Sequence, residues 1–174
     1  MQSENKTVDF EETLLPHLDA AYNLARWLTR DPSDADDVVQ EAYLRAFKFF
    51  GGFHGGNSRS WLLKIVRNTC YTWLQKNRPR EIVYEFDEEL FEAGSGNPEA
   101  LLIESIDLQI LTRLLNGLPP SFREVIVLRD IEGLSYKEIA VVTELPLGTV
   151  MSRLARGRKQ LQKGAGTTQT GDLK

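Results

Sequence analysis

The chain has 174 residues, of which 41% are hydrophobic and 26% charged; its formal net charge is −4 and its one cysteine is Cys70. This is ordinary globular composition, with room for one domain or two small ones. It excludes an intrachain disulfide framework, a zinc pattern from His17, His54 and Cys70, a membrane-spanning segment and a uniformly basic nucleic-acid binder. The polar, acidic start MQSENKTVDFEE is no secretory signal, so the expected address is cytoplasmic. The charges are segregated. Residues 81–104 hold Glu81, Glu85, Asp87, Glu88, Glu89, Glu92, Glu99 and Glu104 without a Lys or Arg, and the cations gather at 59–80 and 153–163. A polyanion would feel these local fields rather than the total.

The first predicted helix covers residues 9–29, where Leu14, Leu18, Ala21, Tyr22, Ala25 and Leu28 recur at three- and four-residue steps. Pro16 predicts a break early in it. Asp31-Pro32 reads as a turn, and Ser33 with Asp36 as a capping box opening the next helix. Asp34, Asp36 and Asp37 sit where the helix dipole favours negative charge. Ala35, Val38, Val39, Ala42, Tyr43, Ala46, Phe47 and Phe50 form its apolar series, opposite Asp37, Gln40, Glu41, Leu44 and Arg45. Spacing alone makes that second face a solvated surface before a docking surface.

Residues 51–58 (GGFHGGNS) read as a flexible loop in which Phe53 and His54 are odd choices for a linker. The following helix, 58–76, buries Trp61, Leu62, Ile65, Val66, Thr69, Cys70, Trp73 and Leu74 by its periodicity. Its outer surface carries Arg59, Lys64, Arg67, Asn68, Tyr71, Gln75, Lys76 and Arg78. Cations, a ring and an amide on one surface suit an unstacked single strand. Trp61 and Trp73 are read as core, and Cys70 as a small buried hydrophobe.

Pro79 stops that helix. Residues 81–96 show no sustained period, and Gly94-Ser95-Gly96 marks a linker, so an acidic connector separates two domains. Asn97-Pro98-Glu99 reads as a helix start. Ile103, Ile106, Leu108, Ile110, Leu111, Leu114 and Leu115 feed the next helix or helix pair, Pro119-Pro120 restarts the chain, and a helix over 121–130 turns Phe122, Val125, Ile126 and Leu128 inward.

Residues 133–162 then read as helix, turn, helix. Ser135 and Glu138 form a capping box for a helix over 135–142. Glu144-Leu145-Pro146-Leu147-Gly148 is the turn, and a second helix runs over 149–162. Val150, Leu154 and Leu161 pack it, while Thr149, Ser152, Arg153, Arg156, Lys159, Gln160 and Lys163 leave a basic, hydroxyl-bearing face. Such a helix suits the DNA major groove, and an ordinary helical hairpin with a solvated basic face is the plainer alternative. The Gly/Thr-rich tail 164–174 is expected to be disordered. With no internal repeat and no convincing strand, the fold class is all-α: two small helical domains on a flexible acidic linker, the second with a helix-turn-helix.

In order along the chain come DADDVVQEAYLRAF, SWLLKIVRNTCYTWL, NPEA, LPPSFREVIVLRDIEGLSYKEIA and LGTVMSRLARGRKQL. Over residues 10–163 this resembles a bacterial RNA polymerase sigma factor of the sigma-70 family, extracytoplasmic-function group. The resemblance implies a promoter-specificity subunit rather than an enzyme, with no cofactor and no metal. It implies domains at 1–80 and 105–174, joined by a linker at 81–104 that passes through the polymerase cleft and RNA exit region. Asp37, Gln40, Glu41 and Leu44 would grip the clamp helices of the largest core subunit, which reverses the surface reading of that face, and the core's flap would be a second contact. The loop from Phe53 with His54 and Asn57, and Arg67, Asn68, Tyr71 and Gln75 on the helix after it, would hold a base flipped from the −10 element. Thr149, Ser152, Arg153, Arg156 and Lys159 would read the −35 element. An anti-sigma factor is the expected further partner. Met151 and Ala155 stand where many relatives carry a basic and a bulky residue, so −35 recognition is assigned to Ser152, Arg153 and Arg156. A stand-alone helix-turn-helix regulator with an N-terminal sensor is the alternative; it gives no reason for the first two motifs. A helical enzyme has no nucleophile–base pair, metal cluster or phosphate loop behind it.

Overall fold

Amphipathic helices with one buried stripe each account for both halves of the molecule. The computed structural model describes residues 2–83 and 107–171. Among them there is no strand, and contacts group the chain into two compact units, one built on residues up to Asn77 and one on residues from Arg78 onward apart from Val141–Glu144, which group with the first. The acidic segment from residue 84, the Asn97-Pro98-Glu99 start, and Ile103 and Ile106 lie outside the described residues.

The first unit comprises α1 (Gln2–Leu14), a 3-10 turn (Leu15–His17), α2 (Leu18–Thr29), α3 (Pro32–Phe49), a second 3-10 turn (Phe50–Gly52) and α4 (Ser58–Asn77). α2, α3 and α4 each pack on the other two. Leu24, Leu28, Ala35, Ala42, Ala46, Leu62, Val66 and Leu74 are fully buried between them, the alanines of α3 letting its neighbours come close. Leu63, absent from the expected stripe, is buried too, while Leu18 is 43% exposed.

Three local readings need correction. The polar start is helical: α1 begins at Gln2, seven residues before the expected onset at Asp9, and its Phe10 is buried edge-on against Tyr43, Phe47 and Phe50. The break at Pro16 is a 3-10 turn in which the Leu18 N–H donates to the Leu15 carbonyl rather than to the Leu14 carbonyl. The Tyr43 hydroxyl donates to that carbonyl at 2.9 Å, and burial pushes the phenol up to about 12, so it stays a donor. Third, Asp31-Pro32 is the start of α3. The Asp31 carboxylate accepts from the Asp34 N–H at 3.0 Å and Pro32 occupies the first helical position, so the expected Ser33/Asp36 box gives way to an Asp cap followed by Pro. α2 ends on Arg30 in the left-handed region, φ 61°. A short helix, α5 (Pro79–Val83), follows α4, where the sequence suggested connector from residue 81.

The second unit comprises α6 (Leu108–Asn116), α7 (Pro120–Ile126) continued by a π-helical turn (Val127–Ile131), α8 (Tyr136–Thr143) and α9 (Leu147–Gly171). Asp107 caps α6 by accepting from the Gln109 N–H at 2.8 Å. α7 lies across α9. Phe122, Val125, Ile126 and Leu128 face the core as expected. So does Arg123, which is 1% exposed: its Nε donates to the Leu115 carbonyl at 2.9 Å and its Nη2 to the Leu118 carbonyl at 2.7 Å. Leu115 lies in the last turn of α6 and Leu118 just beyond it, so the buried guanidinium adds a side-chain donor to the carbonyls where that helix ends.

The tail is also a correction, since α9 stays helical to Gly171. At Gly164 α9 runs close to α6: a Cβ there would meet Leu114 Cδ2, so any larger residue would require the Leu114 side chain to move.

Candidate nucleic-acid interface

Sequence and local packing build three surfaces. The first is on α3. Burial of Ala35, Val38, Val39, Ala42 and Ala46 leaves Asp37, Gln40, Glu41 and Leu44 on the opposite face, all exposed. Leu44 is 72% exposed, a large apolar side chain held among acids, and Glu41 pairs with Arg45 at 2.7 Å.

The second surface combines the loop 53–57 with α4. Phe53 is half-buried; it stacks on Phe50 with centroids 6.0 Å apart and tilts against Trp61 at 5.2 Å. Phe50 meets Trp61 edge-on at 6.3 Å and is also the ring under Phe10. A continuous chain of rings therefore runs from α1 to the loop. Trp61, expected as plain core, is only partly buried and borders Phe53. Trp73 is likewise only partly buried. Gly55 and Gly56 adopt φ +94° and +92°, a backbone that L side chains rarely take, which gives the loop its reversal; His54 stands exposed before them.

Asn57 serves the helix itself. Its Oδ1 accepts from the Ser60 N–H at 3.0 Å and caps α4. One residue on, Ser58 Oγ lies 2.9 Å from His17 Nε2, which ties the start of α4 to the turn before α2. Burial, and then the Arg59 charge, lower the His17 pKa below its usual 6.5.

Along α4 the Arg67 guanidinium sits 3.9 Å above the Tyr71 ring, and its Nη1 lies 3.5 Å from Asn68 Oδ1, a long contact. Arg67, Asn68 and Tyr71 thus form one group, partly buried, and Gln75 is exposed one turn further on. Trp61, Asn68 and Gln75 are spaced by seven and share a face. No acid interrupts α4. A cation, an amide and rings on an acid-free helix can hold phosphate and an unstacked base.

The third surface is the helix-turn-helix. The capping box forms as expected, with Glu138 N–H on Ser135 Oγ and Ser135 N–H on Glu138 Oε1, both at 3.1 Å. The reversal after α8 occurs at Glu144, φ 57°, and not at Gly148, which already belongs to α9. Val150 and Leu154 are fully buried and Leu161 nearly so. Thr149, Ser152, Arg153 and Arg156 lie outside that apolar stripe, as does exposed Lys159. Thr149, at the start of the helix, and Ser152, Arg153 and Arg156 are half-buried. The Ser152 hydroxyl donates to the Thr149 carbonyl at 3.1 Å.

Arg158 is a residue the sequence reading missed. It is 4% exposed and forks onto Asp130, with Nε–Oδ2 3.1 Å and Nη2–Oδ1 2.5 Å, locking α9 to the π-helical turn. Arg129 acts beside it, donating to the Leu134 carbonyl at 3.0 Å and lying 4.6 Å over the Tyr136 ring. The signal was present: Arg158 falls four residues after Leu154, in register with the apolar stripe.

Residues 14–80 match the family described as Sigma-70 region 2, and residues 108–161 match Sigma-70, region 4. The chain is 36% identical over 154 residues to the ECF RNA polymerase sigma factor SigE of Mycolicibacterium smegmatis, covering 88% of this chain and 60% of that protein. It is also 36% identical over 137 residues to the ECF RNA polymerase sigma-E factor of Escherichia coli K12, covering 74% of this chain and 72% of that one. Its fold is similar to the sigma factor RpoE of Bartonella quintana, seen in complex with the anti-sigma factor NepR: TM-score 0.70, 32% identity, with 91% of this chain and 97% of that one aligned. CnrH, seen with the cytosolic domain of CnrY, shares the fold at TM-score 0.65 and 24% identity, over 91% and 88% of the two chains. Two sigma-70 regions in order on a wholly helical frame, with relatives at this identity, settle the affiliation: the chain belongs to the extracytoplasmic-function sigma factors of the sigma-70 family.

Proposed function

We propose that the chain binds core RNA polymerase and directs it to promoters, reading −10 and −35 elements and assisting the melting between them, without chemistry of its own. Residues 1–80 act as the core-binding and −10 module, 105–174 as the −35 module, and the acidic segment 81–104 threads the polymerase cleft between them. The observation that carries this reading is the sorting of charge by surface. α3 offers acids around a solvent-held Leu44, whereas α4 and α9 carry cations and no acid. Asp37, Gln40, Glu41 and Leu44 are the residues for the clamp helices of the largest subunit. Phe53, His54, Arg67, Asn68, Tyr71 and Gln75 serve the melted −10 strand. Asn57 supports that surface by capping α4 through its side-chain oxygen. Thr149, Ser152, Arg153, Arg156 and Lys159 serve the −35 duplex, where each guanine contact is worth about 1–3 kcal/mol. A relative captured with an anti-sigma factor supports such a partner for this chain as well. The test is capture of core polymerase by the tagged chain and by Asp37→Lys/Leu44→Ala. The wild type retains polymerase and the variant loses most of it; equal retention by both removes the α3 assignment.

A further inference from the structure

The outward side of α9 is not uniformly polar. Leu147 is 42% exposed and Met151 39% exposed, and with half-buried Ala155 they form an i, i+4, i+8 row along the helix. The row ends at exposed Lys159, and Arg156 lies one residue beyond Ala155. Two large apolar tips in solvent on a 25-residue helix without a single acid are out of place on an ordinary surface. The cations beside them select a polyanion over an apolar partner. Within a DNA major groove, the one apolar feature a base pair presents is the thymine C5-methyl group.

We propose that Leu147 and Met151 read thymine methyl groups in the −35 element, Met151 being the specificity-determining residue. This rests on the groove assignment of α9 given above and names what that helix recognises. The flexible thioether can follow a methyl group whose position shifts with local DNA shape. The neighbouring Ser152 hydroxyl donates to its own backbone and Arg158 is committed to Asp130, so at the start of α9 the exposed apolar row adds to the contacts assigned to Arg153 and Arg156. The expected −35 element carries thymine, on one strand or the other, opposite Met151.

The test uses the full chain assembled with core polymerase and a −35 sequence selected from a randomised library. Each thymine in the selected element is replaced, one at a time, by deoxyuridine, which removes the methyl group and leaves base pairing intact. At one or two positions the wild type loses about three- to fivefold in affinity, the effect of uncovering one methyl group. Met151→Ala shows no thymine–deoxyuridine difference at those positions, and Met151→Leu retains it. Full affinity for every deoxyuridine promoter overturns the proposal, as does a methyl effect that persists undiminished in Met151→Ala/Leu147→Ala. Loss of polymerase capture by Met151→Ala in the absence of DNA also overturns it, in favour of a protein contact. Affinity that is indifferent to the whole −35 sequence overturns the groove assignment itself and is distinguishable from all of these.

Discussion

Arg123 shows how one side chain can be misjudged by type and then explained by position. In sequence it is a charged residue between Phe122 and Glu124; in the fold it is buried and donates to the Leu115 and Leu118 carbonyls. Arg123→Ala leaves both carbonyls without those donors and opens a cavity, so it should destabilise the second unit by about 2–4 kcal/mol. The check is the urea midpoint followed by circular dichroism; an unchanged midpoint would contradict the role. His17 is the converse case, a polar group whose surroundings set its charge. Its folded pKa lies below 6.5 through burial and the Arg59 charge, so the unfolded chain binds the proton more readily. Stability therefore declines as pH falls through 6.5 towards the folded value and levels off beneath it. His17→Gln should flatten that part of the wild-type curve while leaving the carboxylate region below it alone. Identical curves for the two proteins would contradict the assignment.

Helices were legible where their pattern is local. The stripes of α3, α4 and α9, the Ser135/Glu138 box and the stop at Pro79 all follow from spacing and cap chemistry within a few residues. What escaped depends on partners far along the chain. Arg158 meets Asp130 across 28 residues, and Tyr43 meets the Leu14 carbonyl across 29, distances no periodicity encodes. The tail was misjudged for the same reason. Gly164 looks like a helix breaker until Leu114 is seen against it. The −10 candidates divide similarly: α4 groups Arg67, Asn68 and Tyr71 by their consecutive and four-residue spacings, while Phe53 owes its place to the rings of Phe50 and Trp61 on other elements. Gly157 offers a test at this scale. A Cβ there would come 2.8 Å from Ile126 Cδ1 and 3.4 Å from Phe122 Cβ, so α7 and α9 cross at the glycine. Gly157→Ala gains helix propensity but must displace the buried Ile126 Cδ1 methyl in a packed crossing, and a net loss of about 1–3 kcal/mol is expected by thermal or urea unfolding. Net stabilisation would show that the crossing is looser than described.

At the scale of the molecule, charge sorting links the fold to its use. A chain of net charge −4 carries acid-free helices α4 and α9 together with an acidic stretch over residues 81–104. Under the proposed function each surface has its own partner: cations for DNA, the acid-and-leucine face of α3 for protein. On the proposed function the protein partner is core polymerase, and the whole account then turns on whether this chain confers promoter choice. The most direct measurement is run-off transcription with purified core polymerase, the chain, and a library of promoters randomised at both elements. The account predicts chain-dependent transcripts from a subset sharing one −10 and one −35 sequence, reduced about 5- to 150-fold for each of Arg153→Ala and Arg156→Ala if each contacts guanine. Transcripts that are the same with and without the chain, or no enrichment of sequence at either element, would contradict it.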